Sequence, residues 1–146
     1  MKKYLVLLFI LSGAPAAVAQ NNWGLGIELG VPSCLSGRYV TSSGNSLDAL
    51  LRCGLHDGAF VQGSYNFKLA TLATSRSGQV GFYGGPGIFL GSPSRARAMI
   101  GFSGNFGIDF LWQRRIDLMF EMSPKIGVLP ETDLEFSSGV GFRFMF

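Results

Sequence analysis

The chain has one histidine, His56, and it stands beside Asp57. A histidine with a carboxylate neighbour and a serine in reach is the set from which a hydrolytic or acyl-transfer site is built, because the imidazole takes the hydroxyl proton while the carboxylate orients it. Here the pair falls in the short stretch "HDG" between two segments of alternating apolar residues. A solvated turn accounts for it and is the reading we adopt. No cluster of His, Cys, Asp and Glu has metal-ligand spacing, and no glycine loop leads from a strand into a helix as a nucleotide site requires. The expectation is a protein with no catalytic residue, no metal and no cofactor. Cys34 and Cys53 are the two cysteines, an even pair that an oxidising compartment permits to bridge. Their placement weighs against a bridge, since Cys34 falls in a turn and Cys53 on an apolar face.

The remaining chemistry is ionic. Glu28, Asp48, Asp109, Asp117 and Glu121 alternate with apolar neighbours, as do Arg38, Arg52, Lys68, Lys125 and Arg143. The elements that carry them read as strands, because apolar and polar residues exchange with a period of two. Eight such segments can be written out: 23–31, 35 to about 41, 46–55, 60–69, 79–90, 100–112, 116–128 and 137–146. In the first, Trp23, Leu25, Ile27, Leu29 and Val31 oppose Gly24, Gly26, Glu28 and Gly30. In the seventh, Leu118, Phe120, Met122 and Ile126 oppose Asp117, Glu121, Ser123 and Lys125. The fifth has no assignable facing, because "YGGPG" interrupts its alternation. The stretch "ATLATSRSG" reads as the longest and most polar connection.

Lys2 and Lys3, the apolar run "YLVLLFIL" and the small residues ending in "AVA" read as a secretory signal peptide over residues 1–19. Residues 20–146 then form one domain of 146 − 19 = 127 residues. Without the leader, 12 − 2 = 10 basic residues face 9 acidic ones, a balance that gives nucleic acid nothing to bind. Hydrophobic residues make up 47% of the chain and charged ones 14%, against about 25% charged in an average soluble domain. No apolar stretch after the leader approaches the 18 or so residues of a membrane helix, so the excess apolarity belongs to the alternating strands.

A barrel with its apolar face inward would be a secreted ligand carrier; one with its apolar face outward would cross a membrane. Charge decides. The polar faces hold five acids and five bases among glycine, serine, asparagine and glutamine, as a lumen does when its interior is only wide enough for side chains to fill. The fold class expected is all-β, an eight-stranded antiparallel up-and-down transmembrane β-barrel. Centring the first turn on Ser33 sets Glu28 opposite Arg38, and centring the next near Ser43 brings Asp48 to Arg38, which makes a Glu–Arg–Asp cluster across three strands. Trp23, Tyr39, Phe110, Trp112, Phe144 and Phe146 fall toward strand ends, where interfacial aromatic girdles lie. Val140, Phe142, Phe144 and Phe146 form an alternating apolar row that ends in phenylalanine, the pattern by which outer-membrane barrels are recognised for assembly.

Four phrases in this order, "GVPSCLSGRY", "SLDALL", "FYGGPG" and "LPETDLEFSSGVGFRFMF", resemble a family of small outer-membrane β-barrel proteins of spirochaetes and other Gram-negative bacteria, mostly uncharacterised. The resemblance implies a barrel of the OmpA or OmpX kind, in the outer membrane, without enzyme activity. The chain departs from it at Cys34, where relatives usually have glycine, and at Gly101 and Ser103, where an inward arginine and proline are expected.

The function expected is structural and non-enzymatic, with short surface turns and a charge-filled lumen, porin-like in fold but too narrow for an open pore. The alternatives are an adhesin-like surface module contacting host or envelope components and, behind it, a rim enzyme acting on lipid through His56. The partners expected are outer-membrane lipid, the barrel-assembly machinery through the last strand, and a surface ligand of unknown nature, for which the basic segment "SPSRARA" is the candidate. The chain is expected to act as a monomer and to bind no nucleic acid.

Overall fold

A computed structural model of the chain describes residues 22–31, 33–54, 58–91 and 99–146, with only the backbone given at 53, 54 and 58. The expected signal segment 1–19, His56 with Asp57, the basic segment 92–98 and the Cys53 side chain, with the question of its bridge to Cys34, lie outside the described residues.

Eight strands follow one another: β1 Trp23–Val31, β2 Cys34–Val40, β3 Ser46–Gly54, β4 Gly58–Thr74, β5 Gly78–Leu90, β6 Ile100–Trp112, β7 Ile116–Leu129 and β8 Asp133–Met145. Each pairs antiparallel with the next, and β1 closes on β8, giving the all-β up-and-down barrel that the alternation implies. The closing seam runs from Gly24↔Met145 to Val31↔Ser138. Beyond it Phe146 donates its N–H to Trp23 O at 2.8 Å and accepts from Trp23 N at 3.4 Å. Closure leaves no sheet edge to pair with other chains.

Two rims result. The Trp23 rim carries Phe146 and the connections 41–45, 75–77 and 113–115; the Val31 rim carries the other four. At the Trp23 rim the 41–45 turn closes through Gly44 N to Thr41 O at 2.9 Å, with Gly44 at φ 85°, a left-handed conformation that glycine adopts without penalty.

Three elements differ from the sequence expectation. Centring the first hairpin on Ser33 is incorrect: Glu28 faces Cys34, and Arg38 faces Gly24. The apolar alternation of β1 reaches Val31 because β8 pairs with it that far, whereas β2 leaves it at Glu28, so the end of the pattern does not mark the turn. The "ATLATSRSG" stretch is mostly strand: β4 continues to Thr74, and the connection shrinks to 75–77. Register shifts between Lys68 and Ala70 and between Thr71 and Ala73 break its alternation, as bulges at a barrel rim do. β8 begins at Asp133, opposite Gly127, ahead of the expected start at 137.

β5 pairs with β6 without a break from Gly78↔Trp112 to Leu90↔Ile100. Its facing is therefore fixed, with Tyr83 and Phe89 buried and Ile88 and Leu90 exposed. Gly85 lets the strands close: a Cβ there would lie 1.9 Å from Tyr65 O.

The distribution of side chains is the reverse of a water-soluble core. Every charged residue of the eight strands occupies an inward position in the alternation, while the outward positions carry Leu, Ile, Val, Phe, Met and Trp. Leu134 is 74% exposed and Phe102 64%, yet Lys125 and Arg143 are fully buried. At the Val31 rim the interior changes character, and Cys34, Leu50, Phe60, Phe89 and Met99 form a small apolar cluster.

Candidate functional site in the barrel interior

Arg38, on β2, is the hub. Its Nε and one terminal nitrogen donate to both oxygens of Asp48 at 2.9 Å each, a bidentate pairing set by the direct Arg38↔Asp48 register of β2 and β3. The other terminal nitrogen donates to Asp109 Oδ2 at 2.8 Å and to Asp117 Oδ2 at 3.1 Å, reaching β6 and β7 across the lumen. Arg143, on β8, donates to the same Asp117 oxygen at 3.1 Å and to Ser36 Oγ at 2.6 Å, and lies 3.9 Å from Asp48. Asn66 adds a further bond to Asp48 at 2.9 Å. The Arg38 guanidinium also lies 4.7 Å from the centre of the Tyr83 ring, whose hydroxyl donates to Glu121 at 2.9 Å.

The strand period produces this convergence. Each participant stands at an inward position near the Trp23 rim, and a ring of eight strands narrow enough to be filled by side chains leaves such groups no other partners. Between this layer and the apolar cluster lies an amide and hydroxyl layer. Gln62 donates to Asn105 Oδ1 at 3.0 Å, Ser123 donates to the same oxygen at 2.8 Å, and Asn105 donates to Ser64 at 2.7 Å.

The ten charges expected in the lumen thus divide. Arg38, Asp48, Asp109, Asp117 and Arg143 form one network, and Glu121 joins it through Tyr83. Glu28 does not reach Arg38 as expected. The four-residue difference in register moves it toward the Val31 rim, where its carboxylate lies over Gly139, so close that a Cβ there would be 2.4 Å from Oε1. Lys125 hydrogen-bonds Ser137 and faces the Phe60 ring at 5.5 Å from its centre. Arg52 is half-buried near the same rim, and Lys68 is exposed at the opposite one. Tyr83 and Glu135 are inward residues that the sequence reading missed. Tyr83 was hidden by the glycines around it, and Glu135 by the expectation that the last strand begins at 137. The outward row Val140, Phe142, Phe144 and Phe146 is exposed as the alternation requires.

Two cavities adjoin the interior. One, of about 180 Å³, opens at the Trp23 rim and is lined by Arg38, Asn66, Lys68, Gln79, Asp109 and Asp117 among others. Asp109, with 25% of its side chain exposed, brings the ionic network into this cavity. The other, of about 330 Å³, lies where β2 begins, between inward Glu28, Cys34 and Arg52 and outward Leu29, Leu35 and Leu51. The ionic groups are held by one another, guanidinium to carboxylate. Among the described residues no three of His, Cys, Asp and Glu are placed to hold a metal ion. The chemistry that this arrangement performs is mutual charge compensation. Compared with known protein families, with curated proteins and with solved structures, the chain matches none.

Proposed function

We propose that the chain is an outer-membrane β-barrel with a structural, non-enzymatic role, spanning the bilayer as a monomer. The observation that carries this reading is the outer wall, where outward strand positions are apolar and exposed on every side of a closed barrel while the strands' charges are turned inward. Soluble monomers seldom expose contiguous apolar patches beyond a few hundred Å². Lipid makes such a wall favourable, and closure satisfies every backbone group that lipid cannot.

Strand length supports the same reading. β2 has 7 residues, β1 and β3 have 9, β5 to β8 have 13 or 14 and β4 has 17, so seven of the eight reach the 9 to 11 or so that a tilted strand needs to cross a bilayer. Aromatic side chains collect at the Trp23 rim: Trp23 and Tyr39 lie 4.8 Å apart, Tyr65 and Phe67 5.0 Å, and Phe144 and Phe146 6.4 Å between ring centres. Such rings sit at the headgroup level of a membrane. The outward row of β8 fits recognition by the barrel-assembly machinery.

The experiment is electrophoretic mobility of the detergent-folded chain, boiled and unboiled, with circular dichroism on the same sample. A strand-rich species that requires detergent and changes mobility on boiling is expected. A strand-rich monomer stable in plain buffer would overturn the membrane reading.

A further inference from the structure

We propose that Lys68, Arg76, Arg114 and Arg115 form a basic collar at the Trp23 rim that seats on the phosphate groups of anionic membrane lipids; this rests on the membrane reading above. Among the described residues, the exposed charged side chains at this rim are these four, and all are cationic. The aspartate side chains Asp109 and Asp117, on the strands that lead to this rim, accept from Arg38. The described exposed charge at the opposite rim is Glu131. Among the described residues the exposed charge is therefore asymmetric along the axis, with the cationic groups at the Trp23 rim.

Backbone hydrogen bonds join the turns that bear Arg76, Arg114 and Arg115. Gln113 N donates to Ser77 O at 2.9 Å, which ties the turn bearing Arg76 to the turn bearing Arg114 and Arg115. Met145 N donates to Arg115 O at 2.7 Å, which ties that turn to β8 and so to the Trp23–Phe146 closure. Lys68 flanks the neighbouring turn, its Cδ 3.8 Å from where a Cβ on Gly44 would stand. The bonded turns fix the backbone from which Arg76, Arg114 and Arg115 extend, which lowers the ordering cost of binding.

The turn 113–115 adds a second observation. Gln113 and Arg114 have φ values of 49° and 58°, and Arg115 N closes on Trp112 O at 3.0 Å. A two-residue turn of this hand is relaxed with asparagine and glycine. Here an arginine occupies a left-handed position, and backbone held in sparsely populated conformations tends to cluster where a protein binds. The same turn follows Trp112 directly, so guanidinium groups stand just outside the aromatic belt, at the depth where lipid phosphates lie. Guanidinium pairs with phosphate oxygens bidentately.

Trp23 and Trp112 are the two tryptophans of the chain, and both stand at this rim. They report on neighbouring lipid when the full chain is folded into phosphatidylcholine vesicles containing 20 mol% brominated phosphatidylglycerol or, separately, brominated phosphatidylcholine. An anionic lipid is enriched roughly fivefold beside each basic side chain at low salt. Stronger quenching by the phosphatidylglycerol, by about twofold or more, is therefore expected. The preference should vanish at high salt and in the quadruple variant Lys68→Gln, Arg76→Gln, Arg114→Gln, Arg115→Gln, whose circular dichroism should match the parent. Equal quenching by both lipids, or a preference that survives high salt or the quadruple variant, overturns the collar and leaves the membrane reading intact. Quenching by neither lipid, with a strand-rich chain left in the supernatant, overturns both.

Discussion

Arg38→Leu tests whether the interior is held by charge compensation. In the native barrel two guanidinium groups, Arg38 and Arg143, face three aspartates, Asp48, Asp109 and Asp117. The substitution leaves one guanidinium against three carboxylates. It also strips Asp48 of its bidentate partner at a site where both side chains are under 5% exposed. Removing one member of a buried ion pair costs about 3–5 kcal/mol, most of it from the partner left charged and unpaired. The same change in Asp48 should be costly alone, yet Arg38→Leu combined with Asp48→Leu should cost less than the sum of the two, with a coupling of at least about 1 kcal/mol. Lys68→Gln, at an exposed rim position, should stay within about 0.5 kcal/mol of the parent. The assay is guanidinium chloride unfolding of the detergent-folded chain, followed through Trp23 and Trp112. A loss below about 1 kcal/mol for Arg38→Leu, or strict additivity in the double variant, would refute a compensated network.

Glycine positions separate strand approach from open space. A Cβ on Gly26 would stand 1.8 Å from Phe142 O and 2.6 Å from Arg143 Cα, while one on Gly63 would have no heavy atom within 4 Å. Gly26→Ala is expected to lower the unfolding midpoint by the equivalent of about 1–3 kcal/mol or to prevent folding, and Gly63→Ala to leave it within about 0.5 kcal/mol. Tyr83→Phe removes the donor to Glu121 Oε2 and should cost about 1–3 kcal/mol in the same titration. Gln113→Asn with Arg114→Gly relaxes two left-handed residues and should raise stability by about 0.5–1 kcal/mol, read as a higher thermal midpoint.

Facing was legible in the sequence because it depends only on parity. The expected first hairpin set Glu28 against Arg38, and the barrel sets it against Cys34, four residues away. An even displacement leaves every side chain on its own face and changes only its partners. The lumenal assignment of Glu28 therefore survived while its ion pair did not. The second hairpin had a glycine at the position that a left-handed turn residue requires, Gly44, and its Arg38↔Asp48 pairing was readable in full. Where parity itself failed, so did legibility. The bulges after Lys68 and Thr71 insert odd steps into β4, and the glycines of β5 carry no side chain from which a face could be read. Tyr83 was lost for that reason, though it stacks on the hub residue of the interior.

The layering of the interior follows from the same arithmetic of space. Near the Trp23 rim the inward positions of β2, β3, β6, β7 and β8 bear long or charged groups that span the lumen and neutralise one another. Midway, Gln62, Ser64, Asn105 and Ser123 are short enough to bond as a sheet-to-sheet layer. At the Val31 rim, Phe60 and Phe89, 6.4 Å apart between ring centres, close the section with apolar bulk, and Lys125 lies against the Phe60 face. A charge moved from the first layer to the third would leave the counter-ions gathered around Arg38 and meet Phe60 and Phe89, so the order of the layers is a constraint on folding as well as a result of it. Each strand must enter with the correct parity and the correct depth, and the three charged strand pairs around Arg38 can form only when both are right. A barrel assembled with one strand slipped by two residues would keep its apolar outer wall and lose its interior, which makes the buried network a check on register that the outer surface cannot supply.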